Sequence, residues 1–382
     1  MKNSSLIPFL FMFISTVAQE GIRNVGMLKI HTDGGMGFHT DLINDGNLDD
    51  NQGLAGFYGN NSIKVSGIFS PIFNDIEILV TNTLTLNVAV GVENHTNFIL
   101  GNVTTPRINS FIALNMMEDS YYTGSSDISK VDGYVMLNKQ QNFIFPVGDQ
   151  KQLRPLILNS ESINTVASCA YYYEDPNNPS TFIGSFNTNS KELSLDNIST
   201  REFWRLDGSI LSSIQISWNE RSAINLLTDN INYITIVGWS ISRNQWESLG
   251  GNIIGDFLQG LAISDNFIPN EYEVFSFGTT KSSKKIIDLS NYLVTPNGDG
   301  NNDFLEIPEL ELFPNNHIRI YARNGQLVFD RVNYTNEFNG FATEGDVVIN
   351  QKRGLPSGVY FYLVTLDDLN MEYQGFLYLK ND

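Results

Sequence analysis

The chain has one cysteine, Cys169, in 382 residues, so it cannot close an intrachain disulfide, and no lipid-accepting cysteine stands near its start. Stability must come from packing. No stretch approaches the roughly 20 uninterrupted apolar residues of a membrane-spanning helix. Positive charge is scarce: 23 Lys and Arg stand against 42 Asp and Glu, a net charge of −19. Such a chain repels phosphate backbones and anionic lipid, so nucleic acid is not an expected ligand. Helical periodicity is almost absent. So are catalytic signatures: there is no nucleophile elbow, no metalloprotease helix pair and no cysteine beside a histidine. Cys169, between Ser168 and Ala170, reads as a small buried hydrophobe. The chain is therefore read as non-enzymatic. A glycoside hydrolase is the weakest of the alternatives, because its paired carboxylates meet only in three dimensions.

What is present is a packed, β-rich composition, with 41% hydrophobic and 12% aromatic residues and only 17% charged. At the N-terminus Lys2 precedes the apolar run Leu6 to Ile14 and then Ser15-Thr16-Val17-Ala18. A cationic start, a short apolar core and small residues read as a secretory signal over 1–18, cut after Ala18 to leave Gln19. An exported chain with no lipid anchor has to be held at a surface by other means.

From 19 to 153, short strands such as Ile63 to Ser66, Ile76 to Thr81, Leu84 to Val90 and Phe98 to Leu100 break at Gly, Asn and Asp. This spacing suits a small β-solenoid, with a β-sandwich as the alternative. From 154 to 280 the strands lengthen and hold all four tryptophans, Trp204, Trp218, Trp239 and Trp246. That pattern suggests an immunoglobulin-like β-sandwich, with the tryptophans as core. A polar linker over 281–287, around Lys281-Ser282-Ser283-Lys284-Lys285, then separates off a third domain, 288–382. The expected fold is all-β and multidomain.

The last domain begins with Tyr292-Leu293-Val294 and the run Thr295-Pro296-Asn297-Gly298-Asp299-Gly300-Asn301-Asn302-Asp303. A hairpin follows, from Ile318 to Phe329, in which Asn324-Gly325 is expected to supply positive backbone angles. Val359 to Val364 is apolar on both faces and is expected to be a central strand. These residues resemble the gliding motility-associated C-terminal domain, the type B sorting domain of the Bacteroidota type IX secretion system. The resemblance rests on the Thr295 to Asp303 run, the hairpin, Leu355-Pro356-Ser357-Gly358-Val359-Tyr360, and the closing Gly375-Phe376-Leu377-Tyr378-Leu379. Where the family usually has tryptophan, this chain has Phe338 before Asn339-Gly340, and Phe376 in the last strand. Both replacements keep an aromatic. The resemblance implies an immunoglobulin-like sandwich recognised by the export machinery, often with an outer-membrane barrel partner of the PorP/SprF type. Upstream, Met36 to Leu42 and Phe145-Pro146-Val147-Gly148-Asp149 with Arg154-Pro155 are similar to small flavobacterial surface proteins.

The alternating oxygens of Asn297, Asp299, Asn301 and Asp303 suit Ca²⁺ in number, but the EF-hand positions for Gly and Glu hold Asn302 and Pro308. A tight turn demands the same residue types and is preferred. Asp45, Asn47 and Asp49 form a lesser set of the same kind. His31 with Asp33 and His39 with Asp41 would need further ligands to hold a transition metal. The leading reading is a structural or adhesin-type surface protein exported by its C-terminal domain, with no cofactor. A module that binds surface polysaccharide through the tryptophans is the alternative. A role in gliding follows only by association.

Overall fold

The computed structural model describes residues 21–281, 287, 289, 291–344, 354–369 and 371–381. The secretory-signal reading over 1–18 and most of the 281–287 linker fall outside these residues. The chain divides into two compact units, one running to Glu192 and from Asn197 to Thr279, the other comprising Leu193–Asp196 and the chain from Thr280 onward. Among the described residues no helix is long and apolar enough to cross a membrane.

The first unit opens with parallel strands stacked as coils: β1 (Gly21–Asn24), β2 (Gly35–Phe38), β3 (Asp41–Asn44), β4 (Leu54–Gly59), β5 (Ile63–Gly67), β6 (Ile72–Leu86), β7 (Val90–Thr104), β8 (Leu114–Met116), β9 (Tyr121–Thr123) and β10 (Val131–Asp132). One row runs β1, β3, β5, β6, β7, β10, and a second runs β2, β4, β6, β7, β9. The 15-residue strands β6 and β7 serve both rows. In register, Phe38 lies opposite Phe57, Phe57 opposite Ile78 and Ile78 opposite Phe98, all buried inside the stack. Phe38 and Phe57 stack with ring centres 5.1 Å apart.

Many side-chain bonds between neighbouring coils span 19 to 21 residues of sequence, as in Tyr58 to Glu77, Asn24 to Asn44 and Ile30 to Asn51. Buried amides satisfy the backbone at the coil corners: Asn44 donates to the Phe69 carbonyl at 3.0 Å, and Asn51 accepts from the Ile30 N–H at 2.8 Å. This is the solenoid arrangement.

The stack ends at β11 (Val135–Phe145), which is parallel to β8 on one side and antiparallel to the 17-residue β12 (Leu156–Tyr172) on the other. There follow β13 (Leu195–Ile198), β14 (Phe203–Asp207), β15 (Ser212–Trp218), β16 (Ile234–Ser240), β17 (Gln245–Ser248), β18 (Asn252–Gly255), β19 (Gly260–Ile263) and β20 (Tyr272–Thr280). The first half of β12 pairs with β15, which continues to β19 and β18. Its second half pairs with β14, which continues to β20, β16 and β17. Trp204 of β14 and Trp218 of β15 both set an edge against Phe277 of β20, at 5.7 and 5.9 Å, so the two branches share an aromatic core. One buried cluster runs from Ile30 to Phe277. The boundary drawn from sequence between 153 and 154 falls inside it, where parallel coils give way to antiparallel strands.

The second unit is a five-stranded sheet of β21 (Tyr292–Val294), β22 (Asn316–Ala322), β23 (Leu327–Val332), β24 (Gly358–Leu366) and β25 (Met371–Leu379), in the order β21, β25, β24, β22, β23. The strand holding Val359 to Val364 is central, as its composition implied. Ile318, Ile320, Tyr362, Val364, Leu377 and Leu379 face inward. Among the described residues the layer opposite them is irregular chain with one short 3₁₀ helix, Pro308–Leu312, and contributes Leu305, Ile307, Leu310, Phe313 and Phe338. At the β22–β23 turn only Gly325 has a positive φ, +84°, whereas Asn324 was expected to share it. The Gly325 N–H donates to the Ala322 carbonyl at 2.8 Å, the Ala322 N–H donates to the Gln326 carbonyl at 2.8 Å, and the register slips at Ile320/Tyr321. The turn is thus a type I turn closed by a glycine bulge, in which the Asn324 side chain accepts from the Gln326 N–H at 3.2 Å.

Candidate functional site

The residues singled out by sequence in the second unit lie around its sheet. The run after β21 is a self-bonded loop. Asp303 accepts from the Gly298 N–H at 2.7 Å through Oδ1 and from the Gly300 N–H at 2.8 Å through Oδ2. Asp299 accepts from the Asn301 N–H at 2.8 Å, Asn297 accepts from the Asp299 N–H at 3.1 Å, and the Thr295 N–H donates to the Asn302 carbonyl at 2.7 Å. Gly298, Gly300 and Asn302 carry φ of +79°, +84° and +53°, which explains the Gly and Asn there. The Asn297 side chain and then the Asn301 N–H hold the Asp299 carboxyl below the usual aspartate range. Of the oxygens weighed for Ca²⁺, those of Asn297, Asp299 and Asp303 are therefore engaged by the loop's own N–H groups.

Among the described residues no group of three or more His, Cys, Asp or Glu could hold a metal ion. Asp45 pairs with Arg23 and accepts from the Ile68 N–H, Asp41 accepts from the Lys64 N–H, and His39 rests against Tyr58.

Gly375 lies in register with Tyr362, whose ring crosses it; a Cβ there would fall 2.2 Å from the phenol oxygen. Gly340 has a φ of +81° and sits under Leu379 and Pro296, beside the buried Phe338. Tyr360 donates to the Pro356 carbonyl at 2.8 Å, and Ser357 exchanges hydrogen bonds with the Asn381 backbone at 2.8 and 2.9 Å, which ties the chain's end to the 355–358 segment. Gly358 has open space around it and no positive φ, and the structure offers no reason for its glycine.

One end of the outer face of this sheet is apolar and uncovered among the described residues, while His317, Arg319, Thr365, Glu372 and Gln374 make its other end polar. Leu293, Val359, Phe361, Phe376 and Tyr378 are each 40 to 48% exposed. They are contiguous by register: Leu293 opposite Tyr378, Tyr378 opposite Val359, Phe376 opposite Phe361, and Phe361 opposite Tyr321. Two depressions open there, about 590 Å³ beside Tyr321, Phe361 and Phe376, and about 810 Å³ between Asn324, Gln326, Pro356 and Gly358. Contiguous exposed aromatic surface of this kind marks an interaction face.

Upstream, all four tryptophans are buried. Trp204 and Trp218 donate from their indoles to the Arg154 and Asp256 carbonyls at 3.0 and 2.8 Å, and Trp239 packs edge-on against Trp246. None offers a ring face for stacking a sugar. Cys169 is buried in the core, and burial pushes its thiol well up.

The Phe145 to Arg154 segment joins the coils to the antiparallel strands through two ion pairs. Asp149 meets Arg221 at 2.6 Å, and Arg154 meets Glu202 at 2.8 Å, with Tyr171 donating to Glu202 at 2.7 Å and Ser222 accepting from Arg154 at 2.9 Å. Glu202 and Arg221 carried no sequence signal, because their partners lie 48 and 72 residues away.

No curated protein and no solved structure matches the chain. Residues 287–379 match the CHU_C type IX secretion signal domain. The C-terminal unit is thus a type IX secretion signal domain, and the chain is exported by that system to the cell surface or the extracellular space.

Proposed function

We propose that the chain is a non-catalytic surface protein of structural or adhesin type. The first unit is its displayed part, and the C-terminal domain keeps it at the outer membrane through a barrel partner of the PorP/SprF type. The observation that carries this reading is the aromatic strip on the outer face of the signal domain. A domain that only had to fold would place polar residues there, since exposed apolar surface is an aggregation hazard. The strip supplies what docking by a second protein needs, a contiguous aromatic patch with polar residues at its rim.

The test is a Phe361→Ser/Phe376→Ser chain in the native host. Both side chains are half exposed, so the fold should lose little stability, within about 0.5 kcal/mol per surface site. Surface retention should fall, with the protein found in the medium or the periplasm. Undiminished display of the doubly substituted chain would end the docking reading.

A further inference from the structure

We propose that the antiparallel part of the first unit binds a neutral sugar in the cavity between the β16–β17 turn and the start of β20. The cavity measures about 410 Å³ and is bounded by Ser240, Ser242, Arg243, Glu247, Glu271 and Tyr272. Its size lies within the roughly 300–1,000 Å³ of small-molecule sites. The site is built around a glycine. Gly238 pairs with Glu247, and the Tyr272 ring lies over it, so that a Cβ at 238 would stand 2.6 Å from the ring. The β16–β20 register slips between Gly238 and Ser240, a bulge of the kind that re-aims side chains beside sites.

The second observation is a buried carboxylate short of hydrogen bonds. Glu247 is 8% exposed. Its Oε1 has no hydrogen-bond donor and stands 3.2 Å from Arg243 Nη1 without the alignment of one. Its Oε2 has the Tyr272 hydroxyl at 3.5 Å. The more deeply buried Glu202 shows what such a group collects, accepting at 2.7 to 2.8 Å from Tyr171 and Arg154. Glu247 therefore has acceptor capacity to offer a ligand. Arg243, whose side chain is 68% exposed, is free to give way.

The remaining groups select the ligand's chemistry. Two carboxylates against one guanidinium disfavour an anion. Hydroxyls of Ser240 and Ser242, 3.3 Å apart, a carboxylate acceptor and an aromatic ring suit a neutral polyhydroxyl ring, its C–H face on Tyr272 and its hydroxyls on Glu247. Burial, and after it Glu247, push the Tyr272 phenol up to about 12, so it keeps its proton and remains a donor at neutral pH. This site is independent of the export reading and of the tryptophans.

The experiment is saturation-transfer NMR of the purified full chain with the methyl glycosides of glucose, galactose, mannose and N-acetylglucosamine, with glucuronate and glucosamine as charged controls. At least one neutral glycoside should receive saturation. That signal should vanish in Ser242→Trp, which fills the cavity from an exposed position, and binding should weaken about tenfold in Glu247→Gln, the loss of one charge-assisted hydrogen bond. Ser242→Trp alone decides the location if Glu247→Gln fails to fold. No transfer to any neutral glycoside, transfer that survives Ser242→Trp, or stronger binding of a charged control would overturn the proposal.

Discussion

The Arg154–Glu202 pair is a fully buried ion pair of the first unit, and Glu202→Gln perturbs it with almost no change of shape. The two side chains are 3% and 1% exposed. Glu202 accepts from Arg154 Nη2 with both oxygens at 2.8 Å and from the Tyr171 hydroxyl at 2.7 Å. Removing the negative charge leaves the Arg154 guanidinium buried with the Ser222 hydroxyl at 2.9 Å and the faces of Tyr171 and Trp204 at 5.8 and 5.6 Å. Breaking a buried pair from one side typically costs about 3–5 kcal/mol, a large share of the roughly 5–15 kcal/mol that holds a domain folded. Replacing both partners, as in Arg154→Met/Glu202→Leu, removes the stranded charge and should recover most of that loss. The assay is urea unfolding followed by tryptophan fluorescence, to which Trp204 reports directly, since its indole donates to the Arg154 carbonyl. A single variant within about 0.5 kcal/mol of wild type would refute the reasoning, because surface substitutions give changes of that size. So would a double variant less stable than the single one.

Gly375→Ala should destabilise the C-terminal unit by about 1–3 kcal/mol in a thermal or urea melt, because its Cβ meets the Tyr362 hydroxyl. Asp303→Ala should cost that unit about 1–2 kcal/mol through loss of the two hydrogen bonds that close the loop, while adding EDTA to the native chain leaves its melting temperature unchanged. At Asp149, burial alone would raise the carboxyl, but hydrogen bonds from Arg221 and from the Gln152 and Lys151 N–H groups hold it below the usual range. A depressed folded pKa gives stability that is complete above the unfolded value of about 3.9 and is lost as pH falls through the lower folded value. Asp149→Asn should therefore be less stable than wild type at neutral pH, and urea midpoints of the two should converge in acid.

The sequence exposes what is local. The β22–β23 hairpin, the Gly and Asn positions of the 295–303 loop and the central place of β24 all follow from neighbouring residues. The solenoid coil is less legible, because Phe38, Phe57, Ile78 and Phe98 share an inward position and not an identity. For the same reason the separate strands read at Ile76 to Thr81 and Leu84 to Val90 do not appear as such: Ile72–Leu86 is one continuous strand serving two rows, and β7 begins at Val90. Partnerships across long separations leave no local trace, as with Glu202 and Arg154 or Tyr272 over Gly238. The exposed strip was half legible. The run Val359 to Val364 showed that both faces of β24 are apolar, but only the structure shows that the face bearing Phe361 and Phe376 is left open among the described residues.

The most direct test is surface fractionation of the native host expressing either the full chain or a version ending before Asn291, probed by protease shaving of intact cells. The full chain should be digested at the surface, and the truncated chain should stay protected inside. Surface exposure of both would contradict the role assigned to the C-terminal unit.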